Sequence, residues 1–154
     1  MTLVRTFAAA LVASAALLAG FAAQAQSTYT PKRPADDSLY QAFGGQDGLV
    51  RLMDDFMARL LADARMQPFF KDADQQHVKK QLVAQFCEVS GGPCRLEGPD
   101  MKKAHNGMDI RRGDFNALVE VLQRSMDAQG IAFAAQNRML AQLAPMHRDI
   151  VNTP

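Results

Sequence analysis

The chemistry this chain could do converges on one imidazole. His105 closes the run Met101-Lys-Lys-Ala-His105-Asn-Gly107, downstream of the paired aromatics Phe69-Phe70 and of the turn Gly91-Gly92-Pro93. A second glycine pair, Gly44-Gly45, stands ahead of the first long amphipathic stretch. The other titratable groups offer less. His77, Lys79 and Lys80 read as a solvated helix face, and His147 lies beside Arg148 and Asp149, a surface setting. Asp54 and Asp55 are adjacent, so they fall on different sides of a helix and read as surface charge rather than an acid–base pair.

Around His105 the residues are those a haem site asks for. Such a site needs one imidazole for the iron, apolar walls on both porphyrin faces, and water or cations at the propionate rim. Met101, Ala104, Met108 and Ile110 offer contacts on the side of His105, and the stretch from Val78 to Phe86 could cover the opposite face. The chain has no Cys-x-x-Cys-His, which excludes ordinary c-type attachment and leaves non-covalent haem b. Two cysteines and three histidines without ligand spacing make a zinc site a poor alternative.

The elements that would position these groups are all helical. Apolar residues recur at helical spacing through Leu49, Leu52/Met53, Phe56 and Leu60, in a helix expected over 46–62. Ser38 could cap a short helix before it, and Pro68 should break the chain after it. A helix over 74–90 carries Val78, Leu82, Phe86 and Val89 on one face. Asp100 can cap a short helix that bears His105 and ends at Gly107. Asp114 to Gln129 is strongly amphipathic, and a last helix runs from about Ala132 to Val151 with Phe133 inward and a kink at Pro145. No stretch alternates with period two, so the fold class is all-α, in one domain over 38–154.

The first 25 residues do not belong to that domain. Arg5, an apolar run from Phe7 to Leu18, and Ala23-Gln24-Ala25 have the layout of a secretory signal peptide, an uncleaved anchor being the alternative. Residues 26–37, with Pro31 and Pro34, read as a flexible linker. Without the leader, Lys plus Arg falls from 17 to 16 and balances the 16 acids. No basic block appears, so no nucleic-acid partner is expected, and no membrane contact once the leader is cut. The expected localisation is exported, in a periplasm, and the expected state a monomer. In that compartment Cys87 and Cys94 can form a disulfide across the glycine turn, two free thiols being the alternative. Closing so short a loop would contribute on the order of 2–3 kcal/mol.

The order of these parts resembles the group 1 truncated haemoglobins. The matching stretches are Leu39-Tyr-Gln-Ala-Phe-Gly-Gly45, Asp54-Asp-Phe56, Pro68-Phe-Phe70, Gly91-Gly-Pro93, Met101-Lys-Lys-Ala-His105-x-Gly107 and Leu143-Ala-Pro145, spanning about Ser38 to Val151. The resemblance implies a two-over-two helical sandwich, a shortened globin, with His105 as the proximal iron ligand. It sets Phe70 against the porphyrin and puts Phe86, Met101, Ile110, Phe115 and Leu143 in the pocket lining.

On the distal side the chain departs from that pattern. Family members commonly carry a tyrosine after the Asp-Phe pair and a glutamine on the distal helix, both hydrogen-bonding bound oxygen; here stand Met57 and Leu82. One turn before Leu82, where leucine or glutamine is frequent, stands Val78. Oxygen held there would lose charge-assisted donors worth about 1.5–3 kcal/mol each. The resemblance therefore implies a globin that binds a diatomic gas, oxygen by family analogy, with weak distal stabilisation and a reductase or redox partner. Other functions stay open: an electron carrier with Met57, His77 or Lys80 in the sixth position, a peroxidase-like or nitric-oxide-converting haem protein, or a helical module without haem. Gln81, beside Leu82, is a further candidate donor.

Overall fold

Caps and breakers set the helix ends. The computed structural model describes residues 33–153; the expected leader and the first part of the expected linker lie outside them. The short helix α1 (Ser38–Ala42) and the long helix α2 (Gly45–Ala62) meet at Gly44. Ser38 does not cap α1 as expected. Its backbone N–H is taken by the carboxylate of Asp36 at 2.9 Å, and its hydroxyl accepts from Arg138 at 3.1 Å. Along α2 the expected stripe of Leu49, Leu52, Met53, Phe56 and Leu60 is buried.

Pro68 does not break the chain. It sits in the first turn of a one-turn helix, α3 (Gln67–Phe70), where a missing N–H costs little. Helix α4 (Gln75–Val89) begins where the Asp74 carboxylate accepts from the His77 amide at 3.0 Å. Helix α5 is a single turn (Met101–Ala104), capped by Asp100 through the Lys103 amide at 2.8 Å. At the start of α6 (Arg112–Ala128), Asp114 accepts from the Arg111 amide at 2.9 Å.

The last expected helix is divided. Helix α7 (Phe133–Leu143) passes into a 3-10 turn (Ala144–Met146) holding Pro145, then into α8 (His147–Ile150). Proline removes one ladder hydrogen bond, and at Pro145 the α-helix gives way to a tighter turn. Phe133, expected inward, is 71% exposed because it begins α7, clear of the packed face.

Helix α2 packs on both α4 and α6, α7 packs on α1 and α4, and α5 leans on α8. Among the described residues there is no strand. The glycine pair after α4 allows a close backbone approach. A side chain at Gly91 would lie 2.1 Å from the Asp36 carbonyl, and one at Gly92 would lie 2.6 Å from the Cys87 sulfur and 2.7 Å from Tyr40. The guanidinium of Arg33 donates to the Gly92 carbonyl, and the Tyr40 amide to that of Ser90 at 3.2 Å. The segment before α1 is thereby bound to the end of α4.

Candidate functional site

His105 is the C-cap of α5 and is half-buried. Its Nδ1 lies 2.8 Å from the Met101 carbonyl, one turn back. A carbonyl only accepts, so Nδ1 carries a proton and donates, and Nε2 is the ring nitrogen left outside this contact. The loop is clasped from the other end of the chain. Asn152 donates from its side chain to the His105 carbonyl at 2.8 Å, and the amides of Asn152 and Thr153 donate to the Ile110 carbonyl at 3.1 and 3.2 Å. The ring is therefore fixed in tautomer and held by its backbone on both sides, as a metal-ligating imidazole must be.

The walls come from the other helices. Phe86 is in the core, and Phe70, Leu82, Met101 and Leu143 are partly buried against it. Met57 on α2 is buried, as is Ile110 after α5, yet neither belongs to the main core cluster. Val78 on α4 and Phe115 on α6 are half-buried. Val78 and Phe115 also stand outside the main core cluster, and α4 and α5 are not among the closely packed helix pairs, which leaves room for an apolar slot between them.

Lys102, Lys103, Arg111 and Arg112 flank the loop of His105 on its exposed side. Cations beside an apolar slot suit a planar ring that carries carboxylates on one edge. A single imidazole beside such apolar side chains fits a haem. Among the described residues no group of three or more His, Cys, Asp or Glu stands together as a metal site.

Other expected residues are placed apart from this slot. His77 is exposed. Asp54 pairs with Lys79 at 2.6 Å and Asp55 with Arg59 at 2.6 Å, so the two acids have separate partners. The Arg59 hydrogen bond holds the Asp55 carboxyl below the usual range. A groove of about 360 Å³ between α2 and α4, lined by Gln46, Val50, Met53, Lys79, Lys80 and Val83, contains none of the expected haem contacts. His147 corrects its surface reading: it is half-buried, edge-on to Phe115.

Two groups escaped the sequence reading. Asn152 follows the last helix and drew no reading from the sequence. Gln85 is buried on α4, its amide 3.1 Å from the Met146 sulfur and 3.7 Å from that of Met101. Its spacing from Val78 and Leu82 was the available signal. The sulfurs of Cys87 and Cys94 lie 1.99 Å apart, with Cα atoms 5.7 Å apart, across the turn between α4 and the loop to α5.

Residues 38–152 match the family model described as bacterial-like globin. The group 1 truncated haemoglobin of Tetrahymena pyriformis is 28% identical over 114 residues, covering 74% of this chain and 94% of that protein. The group 1 truncated haemoglobin of Mycolicibacterium paratuberculosis is 28% identical over 113 residues, covering 73% and 83%. Among solved structures, the Fe(III) form of the Tetrahymena pyriformis truncated haemoglobin superposes with a TM-score of 0.71, covering 75% of this chain and 98% of that one at 28% identity. The cyanomet 2/2 haemoglobin of Synechococcus sp. PCC 7002, with covalently attached haem, does so at 0.69, covering 74% and 98%. At 22% identity this second likeness speaks for the fold alone. The all-α, two-over-two expectation is thus met.

Proposed function

This chain belongs to the bacterial-like globin family, and from that premise we propose that it holds non-covalent haem b through His105 and binds a diatomic gas. The observation that carries this reading is the 2.8 Å contact between Nδ1 of His105 and the Met101 carbonyl, which leaves Nε2 as the ligating atom. When bound, the haem would supply an iron that can take up a small ligand. The chain supplies the rest. Met101 and Asn152 hold the imidazole, Phe70, Phe86, Ile110, Phe115 and Leu143 exclude water from the ring, and Met57, Val78 and Leu82 cover the ligand side.

Those three distal side chains are apolar, so the protein holds oxygen without the tyrosine and glutamine donors common among its relatives. The proposal extends to location. The leader-like residues 1–25 send the mature chain to the periplasm, where Cys87 and Cys94 are bridged. A ferrous gas binder in an oxidising compartment also needs an electron source, so a reductase or redox partner belongs to the same reading.

The test is a visible spectrum of the mature chain reconstituted with haem, beside His105→Ala. The variant should lose its haem, or recover it when imidazole is added. Five-coordinate bands in the wild type support the gas binder. Low-spin six-coordinate bands without added ligand would favour the electron carrier. A wild-type spectrum in His105→Ala would end the ligand assignment.

A further inference from the structure

The groove between α2 and α4 lies apart from the slot of His105, and its residues suit a different ligand. On α4, Gln76, Lys80, Val83 and Cys87 fall within about 60° of one another, on the side turned away from Val78 and Leu82. On α2, Gln46, Val50 and Met53 form the facing stripe. The hollow between them, about 360 Å³, is floored by Val50, Met53, Val83 and Ala84. Val50 is 42% exposed there, an apolar surface for a ligand to cover.

The two ends of the groove differ in chemistry. At one end stands the cysteine bridge. Cys94 lines the groove, half-buried, its sulfur 3.6 Å from Gln46 Oε1 at the start of α2. Cys87 is fully enclosed, so a nucleophile from solvent meets the Cys94 sulfur. At the other end stand Lys79 and Lys80. Lys79 pairs with Asp54 at 2.6 Å, while Lys80 is exposed and has no ion pair among the described residues. Two ammonium groups against one carboxylate leave that end net positive. The rise of α2 from Gln46 to Asp54 sets the ends about 12 Å apart.

A molecule that meets both ends carries a thiol and, about 10 Å away, a carboxylate, the reach of an extended chain of about three residues. Resting on the Cys87–Cys94 bridge of the reading above, and independent of haem, we propose that this groove receives a short acidic peptide thiol and that Cys94 is its point of attack. The thiolate sulfur bonds to Cys94 Sγ, the Cys94–Cys87 bond breaks, and Cys87 leaves as a thiolate. Cys87 then takes up a proton, matching the one the incoming thiol gave up. The product is a mixed disulfide at Cys94 and a free thiol at Cys87, and the peptide thiol is the only co-reactant. Lys80 acts as a positioning residue, holding the carboxylate end.

The experiment follows bridge opening in unreduced mature protein by timed alkylation and intact mass. The probes are glutathione, an acidic peptide thiol, neutral 2-mercaptoethanol and cationic cysteamine. Each is run on wild type, Lys80→Gln and Lys80→Glu, a position whose exposure spares the fold. Lys80→Glu should slow glutathione about fivefold at low salt, and Lys80→Gln less, with 2-mercaptoethanol within about twofold of wild type and cysteamine faster. High salt should erase the glutathione effect, and the trapped adduct should map to Cys94. A bridge that glutathione never opens, rates that do not sort by probe charge across the variants, or an adduct on Cys87 overturns the docking and leaves the bridge standing. Two thiols alkylated before any probe is added overturn the bridge, and this inference with it.

Discussion

The imidazole of His147 stands edge-on to the ring of Phe115, the centroids 4.9 Å apart and the planes at 82°. This pair joins α8 to α6, which gives His147 a packing role. Edge-to-face pairs contribute about 0.5–1.5 kcal/mol beyond their burial. His147→Ala should therefore lower the unfolding free energy by about 1 kcal/mol while leaving the haem spectrum as in wild type. Denaturant melts and a Soret scan check both halves. A changed axial spectrum would show that His147 reaches the iron.

Acid should loosen the corner where α2 ends. Asp63 caps α2 and accepts two hydrogen bonds from the Arg65 guanidinium, which also reaches Glu120 on α6. These contacts, the Arg65 side chain first, hold the Asp63 carboxyl at about 2, against an ordinary value of 3.8. A carboxyl whose folded value is depressed stabilises above its unfolded value and loses that contribution as pH falls. The window is therefore pH 3.8 down to about 2. Because the pair is exposed, the effect is small and screened by salt. Thermal melts across this range should fall more steeply for wild type than for Asp63→Asn, and the difference should shrink in high salt.

The cysteine pair is tested by mass. Intact-mass measurement of exported, unreduced protein should show two hydrogens fewer than the reduced form, with no alkylation until reductant is added. Reduction should cost on the order of 2–3 kcal/mol in the chain-entropy account. It should leave the α5 cap in place, because Asp100 and Met101 hold His105 locally. Two alkylatable thiols in carefully prepared unreduced protein would dispose of the bridge.

The sequence disclosed what is decided locally. Asp100 caps its helix as expected, and Asp74, placed inside the helix by the sequence, caps α4 in the same way, because a cap depends on a carboxylate and an amide three residues on. His105 was legible for the same reason: its carbonyl partner, Met101, is four residues away. What depended on tertiary contact was not legible. Ser38 lost its capping role to Asp36 once the segment before α1 was bound to the α4 turn, and Phe133 pointed outward because α7 begins with it. Gln85 drew no reading from the sequence, and only the approach of Met101 and Met146 shows that it is enclosed. Asn152 reaches His105 across 47 positions, a separation no periodicity could report.

The distal side offers the sharpest test of ligand preference. Met57 is 4% exposed on α2, and Val78 and Leu82 are half-buried on α4. None of the three can donate a strong hydrogen bond, whereas relatives commonly carry tyrosine and glutamine at two of these positions. Each donor to a charged acceptor is worth about 1.5–3 kcal/mol, and every 1.4 kcal/mol is about tenfold in rate. Met57→Tyr combined with Leu82→Gln should slow oxygen release by one to several orders of magnitude. Carbon monoxide carries little charge when bound, so its release should hardly change, and discrimination should shift towards oxygen. Both changes swap side chains of similar length, which limits the packing cost. Laser photolysis and stopped-flow replacement give the two release rates directly. If wild-type oxygen release is already slow, a donor is at work, and Gln81→Ala and His77→Ala identify it by which one speeds release. If the double variant slows both gases alike, the effect is closure of the pocket rather than hydrogen bonding, and the apolar account of the distal side fails.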